Sequence, residues 1–403
     1  MKKYVLLIIL CASFSYNQAQ NIRSVTLKDE NLGGIKKILP IENTKDNIIV
    51  FEKITSKTSI KQGRFEGMEK ESIIQTLMLP NGNKISLKQN EKLLSYSNSK
   101  IITEGYDFET FEKKVTFYKL NGSNLIEEAN FKINLSDYNI PVHENEKIIS
   151  FENSDGTLYS ISIYDKDYKR KVIVDFGEQG MTNYAFNYNN QTLCYATQSN
   201  GSKTITITSY SIISETKKYV KEYYVDDYVL SSIKYDNEYI LVYLSSQING
   251  TSRLICYKQG TLLWEKDLPN RTIDNVVLIN SKYNQVVANT FNALLVIDLL
   301  TGKYIEQINN LELVPNNLKE SWQKYKVVPN ISLINDNERF SITYEVSEDS
   351  EKESHIGSLR IYNSTDIKGN PIYSNDNCGT NSKSVIVKGN LFLINDLTIS
   401  TYE

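Results

Sequence analysis

The sequence predicts an all-β chain assembled from a repeated four-stranded unit. Three observations carry this prediction. Short apolar runs alternate with polar positions along almost the whole chain, turns rich in Asn, Asp and Gly separate them, and one layout of strands and turns recurs at a near-constant spacing. Composition agrees. Twenty-eight tyrosines and only seven prolines in 403 residues suit many half-buried strands, because aromatic side chains pack well on a pleated surface and proline cannot donate to a ladder.

The clearest copy of the unit runs from 275 to 308: a strand at 276–279, a turn at 280–284, strands at 285–290 and 293–298, a turn at 300–303 and a strand at 304–308. The first turn recurs at 143–147, 235–239, 335–339 and 387–390, and the second at 80–82, 120–122, 165–167, 258–260 and 363–365. Both are built from the residues that tolerate positive φ and bond their own backbone. The third strands align at 72–79, 114–120, 157–164, 203–212, 252–257, 293–298, 358–362 and 397–402. They follow one another at about 40 to 48 residues, apart from one long interval before 358, and that period with four strands per unit is the mark of propeller blades. One unit cannot bury its own face, so its neighbours must stack on it.

The last unit has strands at 384–387, 391–394 and 397–402 and then the chain stops, while an orphan strand stands at 22–28. Pairing the orphan beside 397–402 would complete the blade and close a ring, removing two exposed edges. The expectation is a single β-propeller of eight four-stranded blades, with seven as the alternative, since the second and third units have the weakest patterns. A pair of β-sandwiches is the competing architecture. It leaves the shared turn chemistry and the missing final strand without explanation.

The N-terminus reads as an export signal over residues 1–20: Lys2 and Lys3, an apolar run from Tyr4 to Cys11, and small residues ending near Ala19 and Gln20. The run is too short to span a bilayer stably. A lipidated Cys11 is the rival reading, disfavoured by Leu10 where a small residue is wanted. The mature domain, 21–403, is then secreted or periplasmic. Without Lys2 and Lys3 it carries 43 basic and 48 acidic residues, a net charge near −5, which speaks against nucleic acid as a partner. No later segment is apolar enough to cross a membrane. Three cysteines remain, Cys194, Cys256 and Cys378. Odd in number and widely spaced, they read as buried small residues, with one disulfide left open.

At Val296-Ile297-Asp298-Leu299-Leu300-Thr301-Gly302-Lys303 the chain resembles the blade repeat of the PQQ-like (quinoprotein-type) propellers, related in architecture to the WD40-like ones. The segment 252–265 is similar to the same repeat, with Trp264 at the family's docking-tryptophan position. The architecture covers nearly the whole mature chain and the specific motif two units. Some members of the family are quinoprotein dehydrogenases. Others are cofactor-free periplasmic scaffolds, one of which assists outer-membrane protein assembly, and this chain resembles those in length and unit count. The only other tryptophan, Trp322, lies in an insertion, so most docking tryptophans are absent. The resemblance therefore implies the fold and no cofactor residue.

No catalytic signature is present: no His-Glu-x-x-His, Gly-x-Ser-x-Gly, phosphate loop or Cys-x-x-Cys. His143 falls in a turn. His355 neighbours Glu348, Asp349, Glu351 and Glu353, where oxygen ligands for a cation gather, but at no calcium-loop spacing. The turn at 153–157 is ordinary hairpin chemistry. No catalytic, cofactor or metal residue is expected.

Function is expected where the long connections fall. In a blade, the loop between second and third strands and the link to the next blade share one face. The long segments 56–70, 311–328 and 346–356, with the shorter 106–111, all belong to it. They carry Arg64, Phe65 and Met68, then Tyr106, Phe108 and Phe111, then Leu318, Trp322 and Tyr325 on one face of a short helix capped by Asn316 or Asn317. Packing on the propeller rim is the plain reading of that helix face. A partner-binding patch is the sharper one, since Trp and Tyr dominate interface hot spots. The expected function is a non-enzymatic protein-interaction scaffold in the cell envelope, its partner an envelope or extracellular protein. The alternative is a propeller that binds or hydrolyses carbohydrate.

Overall fold

The computed structural model describes residues 22–25, 32–41, 46–59, 69–97, 99–107, 112–134, 138–142, 147–154, 156–189, 191–246, 248, 250–268, 277–290, 293–309, 312, 314, 319, 330–334, 338–347, 355–367, 370–378, 383–387, 390–395 and 398–402. Among these residues the strands form eight four-stranded antiparallel sheets, none closed on itself. The first holds Gly34–Pro40, Asn47–Ser59, Glu69–Met78 and Lys84–Ser86. The second holds Glu91–Ser97, Lys100–Asp107, Glu112–Asn121 and Asn124–Asn134, and the third Tyr138–Val142, Lys147–Ser154, Thr157–Asp165 and Arg170–Asp175. The fourth comprises Asn183–Tyr188, Thr192–Gln198, Thr204–Ser211 and Thr216–Tyr224, and the fifth Tyr228–Asp236, Tyr239–Ser246, Ser252–Lys258 and Thr261–Leu268. The sixth comprises Val277–Asn280, Gln285–Asn289, Ala293–Asp298 and Tyr304–Asn309, and the seventh Asn330–Leu333, Arg339–Ser347, His355–Asn363 and Tyr373–Cys378. The eighth joins the two ends of the chain. Ile22–Val25 pairs with Thr398–Tyr402, Ile22 opposite Tyr402 and Val25 opposite Ile399, and Asn390–Asn395 and Lys383–Val387 complete it.

The sheets stand face to face. First strands of successive sheets touch, as Tyr228–Asp236 touches both Asn183–Tyr188 and Val277–Asn280. Fourth strands such as Thr216–Tyr224 are largely exposed, and second strands such as Thr192–Gln198 are wholly buried. The apolar clusters therefore lie between sheets. Between the fifth and sixth, Leu241, Leu254, Cys256 and Trp264 meet Val286, Leu295 and Leu299. This explains why middle strands such as Tyr239–Ser246 and Ala293–Asp298 read as nearly continuous apolar runs: both of their faces are covered.

The backbone repeats as well as the sequence. In six sheets the pairing of third and fourth strands slips at a bulge, between Phe117 and Tyr118, Ile161 and Ser162, Ser209 and Tyr210, Cys256 and Tyr257, Val296 and Ile297, and Gly357 and Leu359. A bulge adds twist and re-aims side chains on the outer strand. Opposite Cys256 it aims Trp264 across to the sixth sheet, where the indole N–H donates to the Leu299 carbonyl at 2.8 Å and the ring covers Gly302. A Cβ on Gly302 would stand 2.7 Å from that ring. Opposite Ser209 the same device aims Tyr219 over Gly260, where a Cβ would stand 3.0 Å from the ring. A tyrosine thus does in the fourth sheet what the tryptophan does in the fifth.

Glutamine side chains on inner strands tie each of two sheets to the first strand of the next. The Gln75 amide accepts from the Leu93 backbone at 2.8 Å and donates to Glu52 at 2.7 Å, and Gln198 accepts from Leu230 at 2.9 Å. On the side of the short turns, the Asp236 carboxylate accepts the Ser281 N–H at 2.8 Å, Lys282 pairs with Glu338 at 2.6 Å, and Glu215 holds Lys147 at 2.6 Å and Lys171 at 3.0 Å. Exposed pairs of this kind contribute about 1 kcal/mol or less each, so they set register more than stability.

Three expected loops are corrected. The described ends of segments 56–70, 106–111 and 346–356 (56–59 and 69–70, 106–107, 346–347 and 355–356) are strand: Ser59 pairs with Glu69, Asp107 with Glu112 and Ser347 with His355. The reason lies in their composition. Lys53 through Ser59 alternates Lys, Thr and Ser, exposed on both faces, so it lacks the apolar phase that marks a half-buried strand while keeping β-branched residues that favour extension.

Candidate functional site

Of the residues expected to form a partner face, Arg64, Phe65, Met68, Phe108, Phe111, Leu318, Trp322 and Tyr325 lie outside the described residues. So do residues 1–21 with Cys11, His143, Asn316 and Asn317, and the acidic residues at 348–353. Of the expected face only Tyr106 is among the described residues. It sits on the strand Lys100–Asp107, half-buried. Its hydroxyl donates to Glu104, and the ammonium groups of Lys92 and Lys113 lie 5.3 and 5.4 Å from its ring. Burial first, then the hydrogen bond to Glu104 and its charge, push its phenol pKa up. Glu104 and Lys113 are themselves buried and stand 3.8 Å apart. A ring so engaged closes a buried charge cluster.

Near the insertion at 311–328, Val314 is buried with Leu294, Ile331 and Phe340, so that part packs on the sixth and seventh sheets. Cys194 and Cys256 are free buried thiols that burial pushes up to about 12, which fits neither a nucleophile nor a metal ligand. Among the described residues no three His, Cys, Asp or Glu gather in a metal-holding group.

The structure instead brings together a cleft that sequence reasoning missed. It lies between the second and third sheets, has a volume of about 250 Å³, and is lined by Glu112, Lys132 and Ile133 on one side and Ser150, Glu152, Ser160, Ser162, Tyr164, Tyr168 and Arg170 on the other. Register explains its polar floor. Ser150 lies opposite Ser162 and Glu152 opposite Ser160, so all four share the face turned to the second sheet. Ile149, Phe151, Ile161 and Ile163 alternate with them and fill the core toward the fourth sheet. The alternation was visible in the sequence as a two-residue period. Which neighbour it faced was not.

Within the cleft Arg170 is held at two nitrogens. Nε donates to Ser162 Oγ at 2.9 Å. Nη2 donates to Ser160 Oγ at 3.0 Å and stands 3.4 Å from the Glu152 carboxylate, which also accepts from Ser160 at 2.8 Å. At one end Tyr168, its backbone at φ +59°, stacks on Phe131 at 4.7 Å and Tyr164 at 5.2 Å. At the rim Lys132 pairs with Glu112 at 2.5 Å. A second hollow, of about 300 Å³, lies between the fourth and fifth sheets beside Tyr219 and Tyr235. Its polar groups are tied to one another or to the scaffold: Gln259 to Glu238 at 2.5 Å and Lys218 to Thr192 at 3.1 Å.

No protein-family model matches the chain, and no curated protein matches it. Solved structures do. The chain superposes on the Dos1 propeller with a TM-score of 0.50 at 9% identity, covering 95% of each chain. With Sqt1 from Chaetomium thermophilum the TM-score is 0.50 at 9% identity, over 92% of this chain and 99% of that one. Dihydro-heme d1 dehydrogenase NirN in complex with DHE gives 0.48 at 11% identity over 79% of this chain, which spans 66% of NirN's length, just under two thirds. At such identities likeness speaks to fold alone. With the sheets above, it makes this chain an all-β protein of the β-propeller fold.

Proposed function

We propose that the chain is an exported eight-bladed propeller, sealed by its own N-terminal strand, that acts without catalysis as a protein-binding scaffold in the cell envelope. The observation that carries this reading is the arm of the first sheet. Asn47–Ser59 and Glu69–Met78 run on together past the packed core, and residues 53–59 are exposed on both faces, Ile54 among them. A two-stranded ribbon with neither face covered is marginal alone, and a partner laid against it would supply the missing packing. The cross-linked short turns of the other side leave less to bind there. Arg64, Phe65 and Met68 belong to the segment that joins the two strands of this arm, and Trp322 to the insertion expected on the same side. Export rests on the basic and apolar start of the sequence, with residues 1–20 removed and Cys11 unlipidated. Among the described residues no helix is long and apolar enough to cross a membrane.

The test is a pull-down from envelope extract with the full chain against a Phe65→Ala, Trp322→Ala double variant. The variant should lose at least one protein that the wild type retains. Equal recovery of every protein would remove the assigned face.

A further inference from the structure

We propose that the cleft between the second and third sheets binds a saccharide, a site separate from the scaffold face above. Three of its polar groups have no protein partner: the hydroxyl of Ser150, the Oε1 of Glu152 and the Nη1 of Arg170. Ser150 is only 4% exposed. Its hydroxyl lines the cleft, where a ligand can take it up. The other two groups are held ready. With Nε and Nη2 fixed on the serines, the plane of the guanidinium is set, and Arg170 and Glu152 line the cleft together.

A donor and an acceptor fixed side by side match a pair of neighbouring sugar hydroxyls, each of which donates and accepts. The aromatic end supplies what a sugar's C–H face needs. Tyr168 is 49% exposed, and its ring is braced by Phe131 and Tyr164 and by a left-handed backbone. The cleft's about 250 Å³ falls below the ~300 Å³ at which drug-sized sites begin, room for one or two rings.

Charge and backbone narrow the class. Lys132 and Arg170 balance Glu112 and Glu152, so the cleft draws neither anions nor cations. The floor strands Lys147–Ser154 and Thr157–Asp165 are paired along both edges, leaving no backbone to which a peptide strand could add.

The experiment titrates the full chain with glucose, galactose, mannose, N-acetylglucosamine and their disaccharides by calorimetry and saturation-transfer NMR. At least one should bind, with a millimolar or tighter Kd. Tyr168→Asn, which keeps a residue suited to the left-handed backbone, and Arg170→Gln should each weaken it about tenfold or more, equivalent to about 1.4 kcal/mol. Ser150→Ala should weaken binding while unfolding at the wild-type temperature, because the hydroxyl has no partner to lose in the free protein. Absence of binding to every sugar overturns the proposal. So does a Tyr168→Asn chain that binds as well as wild type, a Ser150→Ala chain that is clearly destabilised, or a cleft that takes peptides in place of sugars. The Phe65→Ala, Trp322→Ala variant should bind sugar normally, so failure of the scaffold reading leaves this one standing.

Discussion

Single side chains hold neighbouring sheets together, and the Trp264–Gly302 contact isolates one such join. Gly302→Ala meets two penalties: φ +69°, which costs a residue with a Cβ about 1–2 kcal/mol, and a ring 2.7 Å from the new atom. Gly82, at φ +84° with nothing within 4 Å, meets only the first. Gly302→Ala should therefore lower the urea midpoint more than Gly82→Ala. In a Trp264→Ala background, itself costing about 3–5 kcal/mol, it should cost no more than Gly82→Ala. An unchanged cost in that background would mean that ring and glycine do not touch. Trp264 was readable through the resemblance of segment 252–265 to the PQQ-like repeat, since tryptophan is rare here. Tyr219 was not, because twenty-eight tyrosines hide the one that docks.

Acid dependence at this scale has a definite sign. Lys147, then Lys171, hold the Glu215 carboxyl below its ordinary value. A depressed folded pKa gives stability that is present above the unfolded value of about 4.3 and is lost as pH falls through the folded one. Glu215→Gln should thus lower stability at neutral pH and flatten the acid limb of a Tm-against-pH profile. Parallel profiles would show that the cluster contributes nothing to folding.

Among the elements, the arm of the first sheet is where reading and structure part. The sequence marks strands by apolar phase, and the arm has none where its described residues 53–59 stand exposed, so 56–70 reads as loop although Ser56 and Ser72 are paired. Middle strands such as Tyr239–Ser246 and Ala293–Asp298 read correctly for the opposite reason: covered on both faces, they are almost wholly apolar. The cleft failed to emerge for a third reason, since its two walls come from different sheets and only packing sets them opposite each other. An arm so exposed should also be dispensable for folding. Ile54 lies opposite Ile73, so replacing 55–72 by Asn-Gly closes the hairpin with a favoured two-residue turn. The shortened chain should melt within a few degrees of wild type, as expected if less than about 1 kcal/mol is lost, while losing the partner retained in the pull-down. A large fall in Tm would mean that the arm packs on its own molecule and is not a free surface.

For the molecule as a whole, everything turns on its two ends. The spacing of third strands and the orphan at 22–28 made the chain legible as a repeat, and Ile22–Val25 does pair with Thr398–Tyr402. A sheet completed by both ends of a chain ties the first residues to the last, so unfolding any blade must break a long loop whose closure entropy the pairing has already offset. That argument makes the ring testable by a covalent bond. Ser24 and Ser400 are directly opposite each other. Opposed Cα atoms in antiparallel strands stand about 4.5–5.5 Å apart, within the range of about 4.4–6.8 Å that a disulfide spans. A Ser24→Cys, Ser400→Cys chain, mildly oxidised, should run faster on a non-reducing gel than either single variant. Cys194 and Cys256 do not compete, since both are buried as thiols. A bridge closing nearly the whole chain should raise stability by up to roughly 6 kcal/mol on loop entropy, reversed by reductant. If the double variant stays uncross-linked, or cross-links without any gain in Tm, the ends are not paired in solution and the sealed eight-bladed ring must be given up.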